Sequence, residues 1–271
     1  MTKRIAFVGG GNMASAIIGG MVQQGFQALH IDVVEPFDAT RERLQTELGV
    51  TTHAQAGAFL GDAETVIWAV KPQIFHQVTE TVRGHTSGAL HISVAAGIRS
   101  DSIAAWLGNE RVVRTMPNTP ALIGKGITAL FARPAVCTQD REKAQRIMGS
   151  TGAYLWLQAE AQLDAVTALS GSGPAYMFYF MEAMTRTGVE LGLDAAQAHQ
   201  LAVATCIGAG ELARASQDPP EVLRQRVTSK GGTTYAAITA MDHSGVKELF
   251  AQAMHAAHRR AQEMGDEFGK A

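Results

Sequence analysis

The sequence predicts an α/β protein: a parallel sheet covered by helices, followed by an all-α second part. Over the first ~110 residues, short continuously apolar runs alternate with helix-like stretches, as in parallel sheets buried on both faces. After Gln158 these runs stop and long helical stretches follow. We therefore expect a first domain over residues 1–158 and an α-helical domain over residues 159–271.

The individual elements follow from apolar runs and helical spacing. The run Ile5–Val8 predicts the first strand, and the spacing of apolar residues over 12–24 predicts a helix behind it. The other predicted strands are 31–34, 65–70, 89–94, 111–115, 127–131 and 153–157. The other predicted helices are 41–48, 174–191, 195–215 and 246–264.

The helix over 174–191 is apolar on almost every side, with aromatic residues and methionines concentrated in Tyr176–Met181. A helix without a polar face must be buried on all sides. A domain of this size can hardly bury it alone. We therefore expect this helix to form a subunit interface, and the chain to self-associate.

Composition restricts the class of protein. The 271 residues carry a net charge of −2 without a block of like charges, so we expect neither nucleic-acid nor membrane binding. Cys137 and Cys206 lie far apart, which favours a reducing compartment and no thiolate metal site. The N-terminus has no signal-peptide core, and no apolar run reaches the ~20 residues of a membrane span. We expect a soluble cytoplasmic protein without a metal.

A glycine-rich segment follows the first predicted strand and opens the first predicted helix. It satisfies the pattern G-x-G-x-x-A, in which the first glycine makes a tight turn and the second admits a pyrophosphate. The alanine lets the helix pack closely on the strand, and the helix N-terminus attracts phosphate. This context predicts a Rossmann domain that binds NAD or NADP. The predicted cofactor-binding residues are Gly9, Gly10, Gly11, Asn12, Met13 and Ala14.

Glu35 closes the second predicted strand. An acid at this place commonly hydrogen-bonds the adenosine ribose of NAD, and it would repel the 2′-phosphate of NADP. Arg41 and Arg43 are near enough in sequence to neutralise that charge. Glu35 is therefore a candidate cofactor ligand, and a solvated acid at a strand end is the alternative.

Three further strand ends carry small or rigid loops. Open α/β sheets bind ligands at the carboxyl ends of their strands, so these loops are predicted to line the cofactor crevice. The small residues after the fourth predicted strand, 89–94, leave space for a nicotinamide ring. Ordinary turns are the alternative. The predicted contacts are Ala69, Val70, Lys71, Pro72, Ala95, Ala96, Gly97 and Asn118.

Two segments rich in hydroxyl groups and glycine precede predicted helices, at Thr167–Pro174 and Val227–Thr234. In the first, Pro174 suits the opening turn of a helix and the serines can cap it. In the second, backbone N–H groups at Gly232 and Thr233, with the neighbouring hydroxyls, predict a carboxylate-binding nest. A capped turn between helices is the alternative.

Together these segments resemble the pyrroline-5-carboxylate reductases over essentially the whole chain. The most specific matches are Asp164–Tyr176 and Val227–Ser229 with Gly231–Thr234. The resemblance implies hydride transfer from NADH or NADPH to the imine carbon of 1-pyrroline-5-carboxylate, giving L-proline in the last step of proline biosynthesis. It also implies a dimer through the helical domain, and commonly a decamer.

The resemblance also implies roles for single residues. The substrate carboxylate would lie on Ser229, Gly232 and Thr233, and Thr234, the catalytic candidate, would lie near the ring nitrogen. Glu160 falls where the family has an acid near the substrate.

The chain departs from the family pattern at three positions. Lys230 stands where proline or asparagine is frequent, Ala56 stands where several members have asparagine, and Glu35 is unusual beside NADPH. The last two leave the cofactor preference open. Two other functions compete with the reductase: a β-hydroxyacid dehydrogenase, whose helix-borne catalytic lysine has no counterpart here, and an NAD(P)-sensing regulator without turnover.

Overall fold

The computed structural model describes residues 4–269, which form an eight-stranded sheet and eleven α-helices. The strands are β1 (Arg4–Val8), β2 (Ile31–Val34), β3 (Thr51–His53), β4 (Ala63–Trp68), β5 (Leu90–Ser93), β6 (Val112–Met116), β7 (Gly126–Ala132) and β8 (Gly152–Trp156). The helices of the sheet region are α1 (Asn12–Gln23), α2 (Asp38–Leu48), α3 (Pro72–Val82), α4 (Ser100–Leu107) and α5 (Thr138–Met148). The later helices are α6 (Gln162–Val166), α7 (Gly173–Glu190), α8 (Ala195–Ala215), α9 (Pro220–Arg226), α10 (Thr233–His243) and α11 (Val246–Phe268). No helix of this described range is both long and apolar enough to cross a bilayer.

The sheet has the order β3-β2-β1-β4-β5-β6-β7-β8, which confirms the predicted Rossmann-type α/β fold. One strand runs against the prediction of a parallel sheet: β7 is antiparallel to β6. The chain between Met116 and Gly126 is too short for a crossover helix, so it can only turn back. Strand β8 is parallel to β7 again, because α5 provides the crossover.

Strand β3 was not predicted. Its three residues, Thr51–His53, have no apolar run, and it lies at the edge of the sheet beside β2. The sequence signal of a buried strand is therefore missing.

Alternate residues of β1 pack on opposite faces of the sheet. Phe7 belongs to one hydrophobic cluster with Ile17 of α1, and Val8 belongs to the other with Phe75 of α3. All four side chains are buried. Since a shift by one residue would exchange the two faces, this packing fixes the register of the central strands.

The fixed register aligns the carboxyl ends of the central strands. Val8 pairs with Val34 on one side and with Trp68 on the other. Trp68 pairs in turn with Ser93, and Ser93 with Arg114. The loops that follow these strands therefore begin side by side along one edge of the sheet.

Contacts divide the chain into two compact units. The first contains the sheet up to Ser172 together with the chain from Ala257 onward, and the second is Gly173–Ala256. Compact units need not coincide with functional domains, whose boundary after Gln158 stays a prediction. In the second unit α7 packs on α8.

Helix α7 leaves large apolar side chains uncovered. Phe178 is 63% exposed and Tyr179 is 72% exposed, and no residue of this helix is fully buried. Tyr176 and Phe180 touch the ring of Phe250 within the same unit. An exposed apolar surface of this kind marks an interaction site, as expected for a subunit interface.

Helix α7 begins at Gly173, so Pro174 lies in its opening turn as predicted, but the chain before it is already helical. Helix α6 continues into a π-helical turn, Thr167–Gly171, in which Ser172 N donates to Thr167 O over 2.8 Å. Ser170 Oγ donates to Val166 O, one turn back, so it does not cap a helix N-terminus. The expected capping of α7 by Ser170 was wrong, because this serine lies inside the preceding helical turn.

His91 of β5 is a buried titratable group. It is 1% exposed, and its Nδ1 accepts a hydrogen bond of 3.1 Å from Trp68 Nε1. Burial lowers the pKa of His91 from 6.5 to about 4. The neutral imidazole is therefore the form that the folded protein holds.

This depressed pKa predicts an acid-sensitive fold. In the unfolded chain His91 takes up a proton below about pH 6.5, whereas in the folded protein it does so only near pH 4. Its contribution to stability is thus complete above pH 6.5 and lost as the pH falls towards 4, an effect of about 3 kcal/mol. Denaturant unfolding between pH 4 and 7 measures it. His91→Gln, which does not titrate, should flatten the profile, and an unchanged slope would assign the effect to other groups.

Candidate functional site

Gly9 links the carboxyl ends of three central strands, β1, β2 and β4. Its φ is +96°, and its N–H donates to Val34 O over 2.8 Å. A Cβ at this position would lie 2.6 Å from the carbonyl oxygen of Ala69. Both the backbone conformation and the close approach therefore require glycine, as expected for the first glycine of the fingerprint.

Gly11 leaves open space at the start of α1. A Cβ there would meet nothing within 4 Å, and no side chain caps the helix. Asn12 is exposed, Met13 is half-buried, and Ala14 is fully buried against the sheet. The first N–H groups of the helix thus face a space that suits the pyrophosphate of a dinucleotide.

The carboxylate of Glu35 is built into the glycine-rich turn. Its Oε2 accepts from Gly10 N over 2.8 Å, and its Oε1 accepts from Phe37 N over 3.0 Å. Glu35 is only 7% exposed, so it is not a solvated strand-end acid. Gly10 has no room for a side chain, since its Cβ would lie 2.7 Å from Leu44 Cδ1.

Arg41 lies on the same turn as Glu35. Its Nη1 donates to the carbonyl oxygens of Glu35 and Pro36 over 2.9 and 2.8 Å, and it pairs with Asp38. Arg43 instead donates to Ser15 Oγ of α1 over 3.3 Å. A cation and a buried anion therefore lie together where the ribose end of a dinucleotide is expected.

The loop after β4 comes next along the edge. Ala69 N donates to Val8 O over 2.8 Å, which holds this loop against the end of β1. Val70 is half-buried, Lys71 is exposed, and Pro72 opens α3. The lysine side chain is thus available at the same edge as Gly9.

The loop after β5 is closely packed. Ala95 is buried, Ala96 is half-buried, and Gly97 is buried with a φ of +76°. Ala95 N donates to Ser93 Oγ over 3.2 Å. The side chains of this loop are small, as predicted, although Met264 packs closely against Gly97.

Both ends of the Asn118 side-chain amide are engaged within the first unit. Nδ2 donates to Ser170 O over 3.1 Å, and Oδ1 accepts from Ile127 N over 3.0 Å. The side chain thus ties the end of β6 to the start of β7 and to the π-helical turn.

The hydroxyl-rich loop of the second unit joins α9 to α10. Gly231 has a φ of +76°, and Gly232 N donates to Ser229 O over 3.0 Å. Helix α10 then begins at Thr233 without a side-chain cap. Ser229 and Thr233 are exposed and Thr234 is half-buried. The loop thus presents hydroxyl groups beside an open helix N-terminus, which favours an anion.

Glu160 lies in the first unit, and its carboxylate accepts three hydrogen bonds. It accepts from Ser100 N over 2.6 Å, from Ser100 Oγ over 2.5 Å and from Arg114 Nη1 over 3.0 Å. Burial lowers the pKa of the Arg114 guanidinium, and the charge of Glu160 acts in the opposite direction. Sequence reasoning missed Ser100 and Arg114, although an arginine inside a buried strand signals a charged partner.

The two neighbouring glycines of the turn give a matched test of the cofactor site. Gly11→Ala adds a methyl group to open space, so it should leave the melting temperature almost unchanged while raising the Kd of NADH about tenfold, since it blocks the backbone approach to phosphate. Gly10→Ala should lower the melting temperature, because its Cβ meets Leu44. Fluorescence titration and thermal melting measure both effects. Undiminished NADH binding by Gly11→Ala would contradict the assigned site.

Two protein-family models match parts of the chain. Residues 160–264 match the model described as pyrroline-5-carboxylate reductase dimerisation. Residues 4–97 match the model described as NADP oxidoreductase, coenzyme F420-dependent.

Relatives match the chain over nearly its full length. A pyrroline-5-carboxylate reductase from Pseudomonas aeruginosa is 42% identical, with 99% of each chain covered. The solved structure of such a reductase from Coxiella burnetii is 37% identical, with a TM-score of 0.90 and coverage of 97% of this chain and 99% of that one. That of a pyrroline carboxylate reductase from Plasmodium falciparum with NADP bound is 26% identical, with a TM-score of 0.87 and coverage of 97% and 98%. The chain belongs to the pyrroline-5-carboxylate reductase family.

Proposed function

We propose that the chain reduces 1-pyrroline-5-carboxylate to L-proline, the last step of proline biosynthesis, with the sheet edge as its NAD(P)H site and the 229–234 loop as its substrate site. The enzyme is an NAD(P)H-dependent oxidoreductase. The observation that carries the proposal is family membership over the full chain together with an intact fingerprint and an open, hydroxyl-lined loop. We place the reaction in the cytoplasm.

The cofactor residues act by position. We assign the phosphates to Gly9–Ala14, the adenosine ribose to Glu35, and the nicotinamide end to Ala69–Pro72, Ala95–Gly97 and Asn118. The uncapped start of α1 offers N–H groups to an anion, and the open space at Gly11 lets it approach.

The loop residues hold the other reactant. We assign the substrate carboxylate to the Ser229 hydroxyl and to the amide at the start of α10 on Thr233. Gly232 contributes by its missing side chain, because a Cβ there would lie 2.7 Å from Ser229 Oγ and would crowd that hydroxyl. Its own N–H is engaged in the turn.

The bound cofactor supplies a hydride from nicotinamide C4 to the imine carbon. Protonation makes the ring nitrogen cationic and the carbon a better electrophile, and Thr234 Oγ1 accepts a hydrogen bond from that N–H. The chain thus contributes mainly orientation and proximity, because the cofactor carries the hydride chemistry.

The chain self-associates through its dimerisation region. We propose that the uncovered face of α7, with Phe178 and Tyr179, forms the dimer interface. We further propose that dimers assemble into the decamer that the family resemblance suggests.

Glu35 should make NADH at least as good a cofactor as NADPH. A buried carboxylate about 4 Å from a 2′-phosphate repels it by a few kcal/mol at an effective dielectric constant of about 20. Glu35→Gln keeps an acceptor for Gly10 N but removes the charge, so it should shift kcat/KM towards NADPH by at least about tenfold.

Steady-state oxidation of both cofactors by 1-pyrroline-5-carboxylate measures this shift. A strong NADPH preference that is unchanged in Glu35→Gln would assign the specificity to Arg41 and Arg43. If the protein binds NADH or NADPH but does not oxidise it, the alternative function, an NAD(P)-sensing regulator without turnover, is favoured instead.

Thr234→Ala should lower kcat/KM roughly 10- to 150-fold, since a hydrogen bond to a charged group contributes ~1.5–3 kcal/mol. NADH affinity should stay unchanged, because the cofactor residues belong to the first unit. Thr234→Ser keeps the hydroxyl and should retain most activity. If Thr234→Ala lowers the free energy of unfolding by about 1 kcal/mol but leaves kcat/KM unchanged, Thr234 serves only to stabilise the start of the helix.

A further inference from the structure

We infer that Glu160 is a positioning residue for the cofactor loop: it holds the start of α4, and with it the Ala95–Gly97 turn, instead of touching the substrate. The inference rests on the proposed cofactor site. The N-cap position of α4 is Arg99, a residue without a capping acceptor. Glu160 supplies the missing acceptor from sixty residues away.

The carboxylate of Glu160 has little capacity left for a substrate. Oε1 accepts from Ser100 N and Arg114 Nη1, and Oε2 accepts from Ser100 Oγ. The side chain of Arg114 is 3% exposed, and Ser100 is 1% exposed. A carboxylate at a helix N-terminus is stabilised by the helix dipole. Two of the three bonds therefore hold Ser100, and the third holds the carboxylate itself on Arg114.

A second acid of the same segment holds the preceding residue. Asp164, which is 2% exposed, pairs with Arg99 at 2.9 Å. Two consecutive residues at the start of α4 are thus bound by two acids four positions apart. Leu163 N donates to Glu160 O, and Asp164 N donates to Ala161 O. The turn that leads into α6 thus connects the two acids, and the 160–164 segment acts on the loop as a single support.

The end of α11 supports the loop from another direction, within the same compact unit. A Cβ on Gly97 would lie 2.8 Å from Met264 Cβ, and a Cβ on Gly265 would lie 2.7 Å from Arg99 Nε. Ser102 Oγ donates to Gly269 O over 3.2 Å. The segment from Gly97 to Ser102 is therefore fixed on two sides.

Ala95–Gly97 follows β5 in the row of loops that begins at Gly9, so its placement sets the surface offered to the nicotinamide end. A misplacement of about 1 Å at a reacting centre can lower turnover by up to ~100-fold. Support for this turn is consequently a determinant of hydride transfer, and Glu160 provides it through Ser100.

Three variants test the inference. Glu160→Ala removes the acceptor of Ser100 N–H and should raise the Kd of NADH about 3- to 10-fold and lower kcat about 10- to 100-fold, with the KM for 1-pyrroline-5-carboxylate nearly unchanged. Glu160→Gln deprives Arg114 of its charge partner but keeps an acceptor for Ser100 N–H, so its NADH affinity should stay near that of the parent. Asp140→Asn removes the charge of another arginine–carboxylate pair away from the loop, in which the acid is 2% exposed and Arg111 is 36% exposed. It should lower the melting temperature alone.

The outcomes are distinct. If Glu160→Ala and Glu160→Gln both raise the KM for the imine while NADH affinity is unchanged, Glu160 is a substrate ligand and the inference is overturned. It is also overturned if Glu160→Ala behaves like Asp140→Asn. Should Glu160→Ala fail to fold, Ser100→Ala must weaken NADH binding, because it removes the Oγ bond to Glu160, together with a longer one from Arg133, and keeps the Ser100 N–H bond. Gly11→Ala, titrated in parallel, separates the two claims: if it also binds NADH normally, the proposed cofactor site is at fault.

Discussion

The close approach of Gly9 to the carbonyl of Ala69 is the constraint on which the cofactor edge depends. It brings the turn after β1 against the loop after β4, at the switch point of the strand order. Only a residue without a side chain and with a positive φ fits there. This contact also places Gly11 at the open start of α1. The neighbouring strands β2 and β4 end at the same level as β1, because Val8 pairs with Val34 and with Trp68.

Two acids, the buried Glu35 and the partly exposed Glu160, satisfy backbone groups that this edge leaves without strand partners. Glu35 accepts from Gly10 N and Phe37 N, and Glu160 accepts from Ser100 N. A buried N–H without a partner would cost about 1–3 kcal/mol. Each acid therefore stabilises the loop that it joins. In the proposed cofactor site, Glu35 also places a charge near the ribose, so the geometry of the turn and the choice of cofactor would be linked.

Local patterns made most of the sheet and the fingerprint predictable. Continuous apolar runs marked the central strands within a few residues, since they are buried on both faces. Strand β3 escaped because three polar residues at an edge carry no such signal. The reversal of β7 depended on the length of one connection, and the partners of Glu160 on contacts sixty residues apart. Neither has a local signature. The loop at 229–234 was predicted as a set of residues, while the engagement of Gly232 N–H in the turn required coordinates.

The same physical device occurs once in each compact unit. Helices α1 and α10 both begin behind a glycine, Gly11 and Gly232, and no side chain caps either one. Helix α8, by contrast, carries a complete capping box between Asp194 and Gln197. Helices α2, α3, α5 and α9 also begin without a side-chain cap. Helices α1 and α10 differ from them in that a glycine stands at the N-cap position and leaves space beside the first N–H groups. We propose that at α1 and α10 an anion from outside supplies the acceptor, a phosphate in one unit and a carboxylate in the other. On this proposal the enzyme needs few reactive side chains, because its two reactants are held by backbone N–H groups whose direction the helices fix.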